Sequence, residues 1–210
     1  MGMYVMDEDK GLKAMLPLQA VEIDANIRAG FAVVDLNLEY KNPSRDGSLE
    51  LTFELPIEKT IVLSKLVATV NGKTIEAQVR SKEKAIERYD DAMAAGNSAV
   101  LAARAPANRE IMAIKLGNLL PEQVAQLQLR LIMKLSFVLG SFSFELPKSF
   151  YPDYRSHGAA ARSYKYSFKY RVSLSASSSI DTLSVPQGSE VEIKNESKTE
   201  IEFHGNERCS

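Results

Sequence analysis

Cysteine is nearly missing from this chain. Cys209 is its single copy among 210 residues, which excludes an internal disulfide and a cysteine-built metal site. Such usage fits a reducing compartment. Histidine is scarce too: with only His157 and His204, a serine or cysteine triad would need one of them beside a nucleophile, and no G-x-S-x-G turn supplies one. Glycine-rich phosphate cradles of the G-x-x-x-x-G-K or G-x-G-x-x-G type are absent. Neither sign of charge prevails, with 26 Lys plus Arg against 27 Asp plus Glu, so no global field gathers nucleic acid or an anionic membrane. Any charged partner must be met locally. No segment approaches the roughly 18 apolar residues that cross a bilayer, so no membrane insertion is expected. The opening MGMYVMDEDK carries three acidic residues and no apolar signal-peptide core, and Gly2 lacks the Ser or Thr that myristoylation uses. These absences lead us to expect a cytoplasmic protein that does not bind nucleic acid.

What is present is alternation. Val21, Ile23, Ala25 and Ile27 alternate with Glu22, Asp24, Asn26 and Arg28, the period of a half-buried strand. Val34 to Tyr40 and Leu49 to Leu55 repeat the pattern, with NPSRDG as the turn between them and Pro56 as the stop. Leu66, Ala68 and Val70 lead into Asn71-Gly72, and Ile75, Ala77 and Val79 follow, the strongest short-range hairpin signal. Further strands are expected in SAVLAAR, EIMAIKLG, the run from Val124 to Leu135, and Phe142, Phe144 and Leu146 before Pro147. The predicted fold is mainly β: an antiparallel β-sandwich with one prominent α-helix, followed by a strand-rich C-terminal segment.

The helix is expected over about 81–95. Ser81 can cap it, Glu83 suits its positive first turn and Gly96 its left-handed end. Ala85, Tyr89, Ala92 and Met93 share one face, while Glu83, Glu87, Arg88 and Asp91 point largely elsewhere. Two readings stay open: a crossover covering a sheet edge, or a charged docking surface formed by those four residues.

Other candidates for chemistry are weaker. Carboxylate pairs such as Glu22 with Asp24 or Glu50 with Glu54 project from outer strand faces, where solvated surface is the ordinary role. DGSLE, Asp46 to Glu50, approximates a metal loop of the D-x-S-x-S type but has Glu50 where the second serine belongs, so it reads as a hairpin loop. From Tyr154 to Arg171 there are basic residues and tyrosines but no acid, a composition suited to an anionic strand. Strict alternation of Tyr164, Tyr166, Phe168, Tyr170 and Val172 with cations turns the aromatics inward, which makes Lys165, Lys169 and Arg171 the solvated side of an edge strand, with anion binding as the alternative.

The order of features resembles the VIT domain, named for the vault poly(ADP-ribose) polymerase and the inter-alpha-trypsin inhibitor heavy chains. The matching stretches are LPLQAVEIDANIRAGFAVVDLNLEYKNPS, KEKAIERYDDAMAAGNSAVLAAR, APANREIMAIKLGNLLPEQ and FELPKSFYPDY, together spanning about Leu16 to Tyr154. The implied division is an N-terminal extension (1–15), the VIT domain (16–154), a linker (155–163) and a strand-rich segment (164–210) that pairs with or extends the sandwich and leads toward an A domain. The family commonly has glycine after the proline of its GN turn. Here Glu122 follows Pro121, so a left-handed conformation there carries strain. The resemblance implies no catalytic residues, no cofactor and no metal. It implies a non-catalytic interaction or scaffold module, partnered by a von Willebrand factor A domain in cis or by another protein. Alternatives are the regulatory front of a larger enzyme such as a vault-type poly(ADP-ribose) polymerase, and an anion-binding strand surface.

Overall fold

The structure, a computed structural model, describes residues 1–7, 12–45, 47–56, 58–76, 91, 94–95, 100–104, 111–150 and 165–209. Apolar alternation becomes strand wherever one face finds cover. In chain order the strands are β1 (Gly2–Asp7), β2 (Leu12–Met15), β3 (Leu18–Arg28), β4 (Phe31–Lys41), β5 (Leu49–Pro56), β6 (Ile61–Val70), β7 (Lys73–Glu76) and β8 (Val100–Arg104). They continue with β9 (Ile111–Leu119), β10 (Val124–Lys134), β11 (Ser136–Val138), β12 (Ser141–Ser143), β13 (Tyr166–Ser175), β14 (Glu190–Ile193) and β15 (Glu200–Cys209).

A five-stranded sheet, ordered β2-β1-β5-β9-β8, shares one core with an eight-stranded sheet, ordered β14-β15-β13-β3-β4-β10-β6-β7. Met3, Phe53 and Ile114 of the small sheet join Val21, Leu36, Leu38 and Leu129 of the large one in that core. Tyr40 meets Phe53 edge-on across the two layers, with ring centroids 6.1 Å apart. In β10 every second residue from Ala125 to Met133 is buried, as its alternation requires. The Asn71-Gly72 hairpin forms as expected: Val70 pairs with Lys73, and both turn residues are left-handed, at φ 52° and 75°.

Three expectations need correction. First, the sandwich is not wholly antiparallel, because β13 lies parallel to β3 with Ser167 opposite Ala20 and Ser175 opposite Arg28. Alternation assigns faces to a strand but carries no information about its neighbour's direction. Second, β13 is no edge strand, since β3 and β15 flank it. Third, the strand expected through Phe142, Phe144 and Leu146 ends at Ser143: Phe144 and Leu146 leave the ladder and pack against the core, followed by a 3-10 turn at Lys148–Phe150 that buries Phe150. Apolar contact holds that segment without ladder pairing. Most of the helix expected over 81–95 lies outside the described residues. Asp91 and Ala94 are helical and the Ala95 amide donates to the Asp91 carbonyl at 3.1 Å, but the described residues contain no prominent α-helix.

Candidate functional site

One end of the sandwich is built by three loops that a pair of asparagines ties together. Asn42 opens the NP turn after β4, and its side chain is fully buried. Its Nδ2 donates to the carbonyls of Leu119 and Leu120, each at 3.1 Å, while its Oδ1 accepts from the Ser44 amide at 2.9 Å. The Asn42 backbone amide adds a bond to the Gln123 carbonyl at 2.9 Å. Burial of so polar a residue is tolerable because its amide has partners on both sides. Asn71 Oδ1 accepts from the Leu120 amide at 3.3 Å, which joins the β6–β7 turn to the same loop.

Glu122 stands at φ 59°, so the turn takes the left-handed conformation although no glycine is there to ease it. Lys41 Nζ lies 2.5 Å from Glu122 Oε2, and that hydrogen bond, then the Lys41 charge and more weakly the Arg45 charge, hold the Glu122 carboxyl below its ordinary value. The loop thus keeps a backbone that glycine would adopt more easily and fastens it through the side chain.

The outer face of the large sheet is mostly a lattice of exposed ion pairs. Arg130 grips Asp35 with both arms of its guanidinium, Nε to Oδ1 at 2.7 Å and the terminal nitrogen to Oδ2 at 2.9 Å; this hydrogen bond and the Asp35 charge raise the Arg130 pKa. Of the strand cations singled out in the sequence, Lys169 pairs with Glu22 at 3.2 Å and Arg171 approaches Glu202 at 3.9 Å. Lys165 is exposed just before β13. The aromatics of β13 do turn inward, with Tyr166 and Val172 buried and Phe168 and Tyr170 packed against the core. Lys194 holds Glu192 at 2.6 Å, a hydrogen bond that raises the lysine pKa, and lies 3.9 Å from Glu202.

Of the four charged residues proposed for the helix face, Asp91 is exposed, while Glu83, Glu87 and Arg88 lie outside the described residues. In the DGSLE stretch, Asp46 also lies outside them, and Glu50 faces Lys115 at 3.6 Å. Among the described residues, no group of three or more His, Cys, Asp or Glu side chains is placed to hold a metal ion. Nor is any helix among them long and apolar enough to cross a membrane.

The opposite end carries a surface that the alternations did not reveal. Register aligns Val33 with Ile132 and Ile132 with Val62 on the outer face, and all three are exposed. One row further out, Phe31 is flanked by Arg28 on β3 and Lys134 on β10. Beyond them projects the β11–β12 hairpin, where Phe137 and Phe142 pair at 4.8 Å between centroids and stay more than 60% exposed. The signal for this hairpin was SFVLGSF, apolar at consecutive positions, which one buried strand face cannot absorb.

Two packed sheets with a loop end clamped by Asn42 and Asn71 onto the loop after β9 define the class. The sequence profile of the VIT family, the vault protein inter-alpha-trypsin domain, matches residues 18–131, and the chain belongs to that family. Similar proteins include von Willebrand factor A domain-containing protein 5A of Homo sapiens, 29% identical over 69% of this chain and 18% of the relative. Another is von Willebrand factor A domain-containing protein DDB_G0292740 of Dictyostelium discoideum, 28% identical over 69% of this chain and 15% of the relative. The human protein mono-ADP-ribosyltransferase PARP4 is 28% identical over 66% of this chain and 8% of its own length. The chain therefore spans less than a fifth of these relatives. Among solved structures, an M1 zinc metallopeptidase from Deinococcus radiodurans matches 92% of this chain and 39% of its own, with 13% identity and a TM-score of 0.44.

Proposed function

We propose that the domain is a non-catalytic protein-interaction module that docks a von Willebrand factor A domain in cis, using its clamped loop end. The observation that carries this reading is where β15 finishes. Cys209 pairs with Tyr166, Ser167 lies opposite Ala20, and Leu18 lies opposite Tyr40, so β15 finishes at the same end of the large sheet as the Asn42 loop, with β13 and β3 between them. A domain that follows in a longer chain would start at this end of the sandwich, where the hydrogen-bonded loops are cheap to order on binding. Glu83, Glu87, Arg88 and Asp91, of which Asp91 alone lies among the described residues, are the second candidate contact.

Hydrogen–deuterium exchange on a longer chain bearing the A domain, compared with this chain alone, tests the reading. Added protection over 42–48 and 119–124 is expected. Unchanged exchange there would remove the loop end from the interface. Reversing the charges of Glu83, Glu87, Arg88 and Asp91 together should weaken docking while leaving thermal unfolding unchanged. A second reading, regulation of a larger enzyme, draws its support from the similarity to the ADP-ribosyltransferase. A transferase domain in the native chain is its requirement.

A further inference from the structure

We propose that the β11–β12 hairpin end seats on an anionic lipid bilayer, its apex entering the interface and the basic residues behind it meeting lipid phosphates. This reading is independent of A-domain docking, which uses the opposite end of the sandwich.

The apex breaks two local rules at once. Leu139 is 99% exposed and holds φ 51° in the two-residue turn that it forms with Gly140, at φ 83°. That position suits Asn or Gly, because a branched apolar side chain gains nothing from water and disfavours the left-handed region. Strain and exposure borne together at one residue, with no compensating contact, point to a use for the side chain. Val138, Phe137 and Phe142 surround it, all exposed. An isolated two-stranded sheet of three-residue strands is marginal in water, so an apolar phase that covers it also stabilises it.

Charge decides which apolar phase. Across β3, β4, β10 and β6, the last two outer-face rows are Arg28, Phe31 and Lys134, then Asn26, Val33, Ile132 and Val62. Arg28 and Lys134 are their only charges. Lys59 lies in the adjoining turn, which the Lys134 amide reaches through the Thr60 carbonyl at 3.0 Å. None of the three cations has an ion-pair partner among the described residues, in contrast to the paired lattice on the rest of this face. Glu58 adjoins Lys59, Glu145 follows the hairpin, and the two rows continue through Ser175 and Ser173 of β13 to Glu200 and Glu202 of β15, so the cations gather beneath the hairpin while this end as a whole carries no net positive charge. Leu135 and the three residues of β11 lie between Lys134 and Leu139, an extended reach of about 16 Å at most. Interfacial elements bury about 5–10 Å, so an apex of this reach enters the interface while the cations behind it stay at its polar edge. An apex of four exposed apolar side chains with unpaired cations behind it matches an anionic lipid interface.

Co-sedimentation with phosphatidylcholine vesicles, with and without phosphatidylserine at about one lipid in three, tests the proposal. Binding is expected on the mixed vesicles only, weakening as salt rises. Leu139→Asn should cut partitioning about tenfold or more while leaving thermal stability equal or higher, because Asn suits the turn. Arg28→Gln with Lys134→Gln should each remove about fivefold and lessen the salt dependence. The proposal is overturned by absence of binding to the mixed vesicles, or by binding that Leu139→Asn leaves intact. It is equally overturned if the unmodified chain self-associates through this end, seen as a concentration-dependent sedimentation coefficient abolished by Leu139→Asn, and ignores vesicles.

Discussion

Asn42 shows how much one side chain can hold. Replacing it with alanine leaves the Leu119 and Leu120 carbonyls without their donor in a buried site, and we expect a loss of about 2–3 kcal/mol, read as a fall in Tm of roughly 5–10 °C. Asn42→Asp keeps the shape and sets a carboxylate against two carbonyl oxygens. Its folded-state pKa is therefore raised, so this variant should recover stability as pH falls and lose it as pH rises through that value. Equal stability of the aspartate variant at neutral and acid pH would refute the hydrogen-bond assignment. Glu122 gives the opposite sign. Its carboxyl is depressed by Lys41, so the pair's contribution is present above the ordinary value of 4.5 and lost as pH falls through the lower folded value. Urea midpoints of the unmodified chain and Glu122→Gln should differ at neutral pH and converge in acid. A constant difference across that range would sink the idea that the pair acts through charge.

At the scale of elements, the contact between β13 and β15 depends on a missing side chain. A Cβ at Gly205 would overlap the Tyr170 ring and hydroxyl, which lie over that glycine. Tyr170 Oη also shares a hydrogen bond with Ser189 Oγ at 2.8 Å, and Ser189 Oγ donates in turn to the Pro186 carbonyl at 2.7 Å, so the ring pins the loop before β14. Gly205→Ala should displace the ring, break that bond and cost about 1–3 kcal/mol. Near-UV circular dichroism would register the tyrosine's release together with the fall in Tm. An unchanged tyrosine signal would mean that the ring adapts without leaving its partner. The same element shows the limits of alternation: inward aromatics and outward lysines were readable in Tyr166 to Val172, while the parallel partner β3 was not.

For the whole molecule, the family match stops at residue 131, yet the large sheet does not. β13 covers the full outer flank of β3 from Ala20 to Arg28, and Tyr166, Val172 and Phe203 belong to the shared core. A fragment ending at residue 150 would expose that long apolar-faced edge, and we expect it to bind hydrophobic dye, lose near-UV signal and aggregate. Cooperative unfolding of a monodisperse fragment would show instead that β13–β15 is an independent appendage.

Local chemistry alone determined several features of this protein. The period of two decided which residues of β3, β4, β5 and β10 face inward, and Asn71-Gly72 decided one hairpin, because each depends on sterics within a few residues. The candidate surfaces were less legible. NP was visible as a turn, whereas GN, expected as a turn, lies within β9; the bond from Asn42 to Leu119 joins residues far apart in sequence, and only folding brings them together. Tertiary structure also decided that β13 lies beside β3, and that Phe31, Val33, Ile132 and the Leu139 apex remain in water. Alternation names a face; whether the outer one is covered depends on whether another layer packs on it, and the five-stranded sheet shares its core with the inward residues such as Val34 and Leu131.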